Sequence, residues 1–320
     1  MLLETQHPHN KHIMAAVLGK PNAGKSTLVN HLIGFDLAIV SDKPQTTRNQ
    51  FQCIFTIDRT EIVLVDTPGV HKAPQELNKR MNHQAEMGAD GVDLNLVLLD
   101  LADRPEEAFK DFLASIEWKL GRTWLLFTKA DLRPEADVKG MFERLKLLAP
   151  TVEKFFMISS KDGTNIHELT GALCDAAQPG PHLFPDGSAS NKNERFFVTE
   201  YIREQAFRVL KEELPYELAV VVEEYKDMAE RDAKGPIAAH VSASILVNRP
   251  SQRAIVVGRQ GSVIKQIGTE ARKKIEAMVG GQVHLNLHVK VSPKWFSNNW
   301  VLDELGLPRS QTSARVWRSK

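Results

Sequence analysis

Cysteine is scarce in this chain: Cys53 and Cys174 are the only two in 320 residues, far apart and outside any motif. That excludes a disulfide-stapled scaffold and a cysteine-rich zinc module, and it fits a reducing compartment. An excess of either charge is also lacking. Lys plus Arg total 41 and Asp plus Glu 40, a formal charge of +1. A histone-like polycation and an acidic-tail protein are excluded, while one basic face balanced elsewhere stays compatible with nucleic-acid binding. No apolar run approaches the ~20 residues of a membrane-spanning helix. The best run, 94–101, is broken by Asn95 and Asp100. The first twelve residues are polar and rich in His, without the charged-then-apolar order of a signal peptide. There is no internal repeat and no low-complexity block. A soluble cytoplasmic protein is expected.

What remains is globular. The chain is 42% apolar and 25% charged, enough to bury a core. At about 150 residues per domain, its length suggests two domains. From residue 13 to about 174, short apolar runs at 13–18, 62–65, 94–99, 123–127 and 155–158 alternate with helical patterns at 25–32, 105–118, 138–148 and 165–173. This alternation predicts an α/β domain, a mostly parallel sheet with helices on both faces. Turn formers crowd 178–192 and interrupt the pattern. The expected organisation is a disordered segment 1–12, a first domain 13–180, a linker 181–193, a second α+β domain 194–307 and a basic tail 308–320. In the second domain, 194–210 and 262–278 read as helices, the first amphipathic, and 217–226, 237–248 and 283–291 as strands.

Gly19, Lys20, Pro21, Asn22, Ala23, Gly24, Lys25 and Ser26 have the P-loop spacing, with a strand before them and a helix opening at Thr27. Glycines at the two ends let successive backbone N–H groups curl around phosphate, and the helix N-terminus adds its positive end. Lys25 is expected to reach the β and γ phosphates and Ser26 to ligate Mg²⁺. Asp66, Thr67, Pro68 and Gly69 follow the next strand directly. That places Asp66 in the same crevice, near the magnesium, and lets the Gly69 N–H report the γ-phosphate. Between them, the loop 41–48 is the expected switch, with Thr47 favoured over Thr46 as metal ligand. Val70 stands where Ras-like enzymes carry a water-orienting glutamine. An aliphatic side chain cannot hold a water by hydrogen bonding, so slow intrinsic turnover is expected. No catalytic residue is assigned, and His71 reads as a loop residue.

Thr128, Lys129, Ala130 and Asp131 close another strand. One carboxylate can accept both the N1–H and N2–H of guanine, which adenine cannot offer, so Asp131 selects GTP over ATP. Ser159, Ser160 and Lys161 follow a further strand and are expected to present backbone N–H to the guanine O6.

In the second domain Gly258, Arg259, Gln260 and Gly261 have the GXXG form that clamps single-stranded RNA in KH modules, and here the turn is expected to join a strand to a helix. Ile264 and Ile267 are expected on the apolar platform, with Lys265 and the basic run 272–274 around the groove.

The ordered set 19–26, 66–69 and 128–131 resembles P-loop GTPases, with Thr128 where asparagine is usual and Ser160 where alanine is. Adding Lys43-Pro-Gln-Thr-Thr-Arg48, Asp66-Thr-Pro-Gly-Val-His-Lys72, Glu213-Leu-Pro-Tyr216 and the GXXG module, the chain resembles the bacterial Era family through about residue 307. The resemblance implies a Mg²⁺-dependent GTPase with a type 2 KH domain that binds the 3′ end of 16S ribosomal RNA. It further implies action in 30S subunit assembly, a monomer, and partial contact with the inner membrane. It places Lys290 and Trp295 with the RNA-binding residues. Two readings stay open from the residues alone: another GTP switch whose second domain binds protein, and an RNA scaffold whose Thr128 weakens nucleotide affinity.

Overall fold

The computed structural model describes residues 6–41, 43, 46–70, 76–228, 237–307 and 309. His71, Asp42, Pro44, Gln45, the first five residues and all of the tail but Arg309 lie outside the described residues.

The first domain runs β1 (Lys11–Gly19), α1 (Lys25–Ile33), β2 (Phe51–Ile57), β3 (Thr60–Asp66), α2 (Glu76–Ala89), β4 (Leu94–Asp100), α3 (Pro105–Ser115), β5 (Thr123–Thr128), α4 (Val138–Lys146), β6 (Val152–Met157), α5 (Ile166–Ala176) and β7 (Gln178–Pro179). The sheet order is β2-β3-β1-β4-β5-β6, with β7 antiparallel to the start of β1. β2 is antiparallel to β3 and the other main pairs are parallel. Central strands such as β3 are buried along their whole length because helices cover both faces. β1 lies between β3 and β4, so chain order reverses there, and a crevice opens at the carboxyl ends of the strands.

The second domain runs α6 (Glu194–Val209), β8 (Ala219–Asp227), β9 (Ile237–Val247), α7 (Pro250–Val257), α8 (Ser262–Val279), β10 (Gln282–Val291) and a short α9 (Asn299–Glu304). Its sheet is β10-β9-β8, parallel between β10 and β9 and antiparallel between β8 and β9. Alternate residues of β10, including Val283 and Val289, turn into the core beneath α8, where Ile267, Ala271 and Ile275 are buried.

Several expectations change. Segment 1–12 is not wholly disordered: Asn10 is buried, and Lys11 and His12 pair with Thr60 and Glu61 inside β1. β2 and α2 carry no clear period in the sequence, yet both form because tertiary partners complete them. The expected linker 181–193 is fastened to the first domain. Ser190 bridges Cys53, Ile54 N–H donates to Ala189 O at 3.0 Å, and Glu61 accepts from the Leu183 N–H at 2.6 Å. It thereby covers the open edge of β2. α6 is not amphipathic. Phe197, Val198, Glu200, Tyr201, Ile202, Arg203, Glu204, Gln205, Ala206 and Phe207 are all buried, because the helix is wedged between the domains and meets protein on most sides. One apolar cluster runs from β1 and α1 through α6 into α8 without interruption.

Candidate nucleotide and RNA sites

The crevice over the P-loop holds a cavity of about 320 Å³, lined by the loop 21–27, by Thr46 and Thr47, and by Gly69 and Lys129. Three glycines shape it. Gly19 has φ +141°, and a Cβ there would lie 2.7 Å from Leu98 O. Gly24 has φ +93° and opens α1. A Cβ on Gly69 would lie 2.7 Å from Pro21 N, so only glycine lets the 66–69 turn press against the P-loop.

Lys25 is buried at the cavity floor. Its Nζ donates to Lys20 O at 2.9 Å and Gly19 O at 3.2 Å. Burial pulls its pKa down to about 8, with Asp66 opposing the fall. Asp66 is fully buried, and burial pushes its carboxyl up to about 6 against the pull of Lys25 and Ser26. The Ser26 hydroxyl lies 2.9 Å from Thr47 Oγ1 and donates to Asp66 Oδ2 at 3.1 Å. Asp66 Oδ1 is buried without a hydrogen-bond partner. Two hydroxyls and an unsaturated carboxylate are hard oxygen donors, and they fit a divalent cation such as Mg²⁺. Among the described residues no cluster of three His, Cys, Asp or Glu offers another metal centre. Thr46 turns elsewhere: its hydroxyl donates to Lys43 O at 2.6 Å.

At the base end, Asp131 Oδ1 accepts from Ser159 Oγ at 2.9 Å, and Lys161 Nζ lies 3.8 Å from Oδ2. Lys129 has φ +59°, and its Nζ meets Asp100 Oδ2 at 2.5 Å. Thr128 Oγ1 donates to Ala23 O at 2.8 Å, so threonine ties the base loop to the P-loop. Sequence reasoning missed Asp100 and the Ser159 hydroxyl, whose partners lie 29 and 28 positions away.

Some expected nucleotide contacts are used up inside the protein. Thr67 Oγ1 donates to Val17 O at 2.6 Å. Val70 is buried, and its N–H donates to Gly19 O at 3.3 Å. The Ala130 N–H donates to Ile158 O at 3.1 Å. Of the three N–H groups at 159–161, Ser159 donates to Thr164 O at 3.1 Å and Lys161 to Ser159 Oγ at 3.3 Å. The Ser160 N–H is the one left for a base carbonyl.

In the second domain the GXXG turn joins α7 to α8 rather than a strand to a helix. Gly258, Gln260 and Gly261 all have positive φ, at 73°, 52° and 78°. A Cβ on Gly258 would lie 2.5 Å from Val263 Cγ2. Arg259, Gln260 and Lys265 are exposed and Ile264 is half-buried. Ile255 on α7 is 57% exposed beside the turn and escaped the sequence reading.

Other expected RNA residues are displaced. Ile267 is core. Trp295 is fully buried, its Nε1 donating to Glu217 O at 2.8 Å. Lys290 lies on the sheet face turned away from α8, paired with Glu223. Arg272 and Lys273 pair with Glu276 and Glu270 along the helix, and Lys274 meets Glu204 at 2.8 Å and Asp36 at 3.5 Å. Of these cations only Lys274 serves the domain seam; Arg272, Lys273 and Lys290 stay at least half exposed in surface ion pairs.

A guanine acceptor set over a P-loop, joined to a GXXG module, defines a GTPase with an RNA-binding domain. Comparisons agree: the model of the 50S ribosome-binding GTPase family matches residues 14–129 and the KH domain model 213–296. GTPase Era of Leuconostoc citreum is 38% identical over 293 residues, covering 91% of this chain and 94% of its own. GTPase Era of Thermotoga maritima is 37% identical over 91% of this chain and 96% of its own. Two solved structures share 29% identity and all of their own length with this chain. Era with MgGDPNP and nucleotides 1506–1542 of 16S ribosomal RNA superposes at TM-score 0.84 over 94% of this chain. A variant of Aquifex aeolicus Era bound to GDP·AlF₄⁻ superposes at 0.83 over 93%. The chain belongs to the Era family of GTPases.

Proposed function

We propose that this chain binds and slowly hydrolyses GTP, and that its GTP state governs binding to the 3′ end of 16S ribosomal RNA during 30S subunit assembly. The observation that carries this reading is the convergence of Ser26, Thr47 and Asp66 at the crevice that Lys25 and Lys129 line, with Thr128 of the Asp131 loop bonded to the P-loop at Ala23. Ser26, Thr47 and Asp66 would hold Mg²⁺, which when bound neutralises phosphate charge. Lys25 would take the β and γ phosphates, the Gly69 turn would read the γ-phosphate, and Asp131 with the Ser160 N–H would take guanine. Gly258 to Gly261 would grip the RNA backbone, with Ile255 and Ile264 under the bases. Turnover is slow because Val70 is packed in the core and orients no water.

The family model names the 50S particle, whereas the solved relative holds small-subunit RNA at high structural similarity. The second is the closer guide. Among the described residues no helix is long and apolar enough to cross a membrane. The reading includes a cytoplasmic monomer touching the inner membrane only peripherally, as the sequence resemblance implies.

The test pairs two measurements on the full chain. Fluorescence titration should show GTP strongly preferred over ATP, with Asp131→Asn moving the preference to xanthosine nucleotides. Gel shifts with the last 37 or so nucleotides of 16S RNA should show binding in GDPNP. Equal affinity for ATP, or co-sedimentation with 50S and not 30S particles, would refute it.

A further inference from the structure

The domain seam crosses the switch loop where Thr47 approaches Ser26. Three cations make the crossing. From the loop, Lys43 Nζ meets Phe207 O and Leu210 O, both at 2.5 Å, at the carbonyl end of α6, where a positive charge is favoured. Arg48 donates to Leu218 O at 2.7 Å and Tyr216 O at 3.3 Å, with its guanidinium 5.5 Å from the Trp295 ring and 5.9 Å from that of Phe207. In the opposite direction, α6 sends Arg203. Its Nη1 donates to the backbone carbonyl of Thr46. Its Nε donates to Glu200 Oε1 at 3.1 Å, and its Nη2 pairs with the other Glu200 oxygen. Arg203 is 3% exposed, and the Phe207 ring lies 5.7 Å from its guanidinium.

The peptide gripped by Arg203 is the one that joins Thr46 to Thr47. Its carbonyl orientation sets where the Thr47 Cα, and hence Oγ1, must lie. A buried arginine held along one edge by a carboxylate and along the other by a carbonyl has no rotational freedom left. A lysine has no such two-edged fork.

We infer that Arg203, braced by Glu200, is a positioning residue for the GTP site: the RNA-binding half of the chain holds Thr47 in place to meet the metal. The inference rests on the reading of Thr47 as a metal ligand. Arg203 touches neither nucleotide nor metal. It acts through the Thr46–Thr47 peptide, much as outer partners of metal ligands orient them elsewhere, where their loss typically costs about 10–100-fold. Ser26 and Asp66 serve any Mg²⁺-nucleotide, whereas a switch loop is ordered only with the γ-phosphate present. Arg203 therefore discriminates GTP from GDP without seeing the phosphate.

The experiment measures affinity for fluorescent GDPNP and GDP across a Mg²⁺ titration, in full-length protein. Arg203→Ala should weaken GDPNP binding by about 10-fold or more, raise the Mg²⁺ needed for half-saturation, and leave GDP within about twofold. Arg203→Lys should recover part of the loss, and Glu200→Gln, which keeps the arginine, should fall between. Thr47→Ala should match Arg203→Ala, and the double variant should be no worse than Thr47→Ala alone. If Thr47→Ala leaves GDPNP and its Mg²⁺ dependence unchanged, the metal-ligand reading fails first. If Thr47→Ala has the effect and the folded Arg203 and Glu200 variants do not, or if GDP weakens equally, the positioning role is overturned.

Discussion

Lys25 shows how much chemistry one buried cation carries. Its ammonium lies at the bottom of the phosphate crevice with a pKa pulled down to about 8. A bound polyphosphate stabilises the protonated form and raises that pKa, so binding above pH 8 must take up a proton. Nucleotide affinity should be flat near pH 7, fall above 8 by up to roughly tenfold per pH unit, and fall again below about 6 as the Asp66 carboxylate at the metal site takes up a proton. A fluorescence titration spanning both limbs checks this, and Lys25→Ala should abolish both tight binding and the alkaline slope. Thr128 offers a second test. Its hydroxyl anchors Ala23 O, so the departure from asparagine keeps a P-loop tether. Thr128→Ala should weaken GDP binding by about 1 kcal/mol, roughly fivefold, with Asp131 still selecting guanine. Ordinary affinity in the variant would show that the tether is idle.

At the scale of elements, the GXXG turn is held by its two flanking helices and exposes Arg259 and Gln260. Changing both to glutamate should cut RNA affinity at least about tenfold, reduce its salt dependence, and leave GTP binding intact. Gel shifts at two salt concentrations would decide it. This is also the scale at which sequence reading divides. The P-loop, the Asp66 turn, the Asp131 loop and the GXXG turn were legible because each is a short run whose spacing is itself the mechanism. α2 and the surroundings of α6 were not. Arg203 and Thr46 are 157 positions apart, and nothing local marks a helix that will be enclosed. The same blindness affected Trp295 and Lys274. Each looked like a nucleic-acid residue by type, and each is claimed by a partner distant in the chain: Glu217 for one, Glu204 and Asp36 for the other.

The whole molecule is stitched on two sides of the switch loop. On one side, Arg80 of α2 donates to Leu307 O, Asp303 and Asn299. Trp295 sits in a cluster with Leu77 and Met81 from α2 and with Val301, Leu302 and Leu307 near the end of the chain. On the other, α6 fills the seam. Trp295→Ala should therefore destabilise the protein by about 3–5 kcal/mol, lowering the melting temperature and exposing the seam to protease. RNA affinity of the fraction that remains folded should be nearly unchanged, since the ring faces Arg48 and not the groove. A selective loss of RNA binding at unaltered melting temperature would contradict that placement.

The uninterrupted apolar cluster from β1 to α8 has an evolutionary corollary. Neither half presents a finished exterior where it meets the other, so exchanging one for its counterpart from a distant relative would set mismatched shapes face to face. The two units should have drifted in concert, with substitutions along α6 answered across the boundary. Chimaeras cut at the linker, which keep that helix with its partners α8 and β8, should fail unless the first-domain residues facing it are exchanged as well.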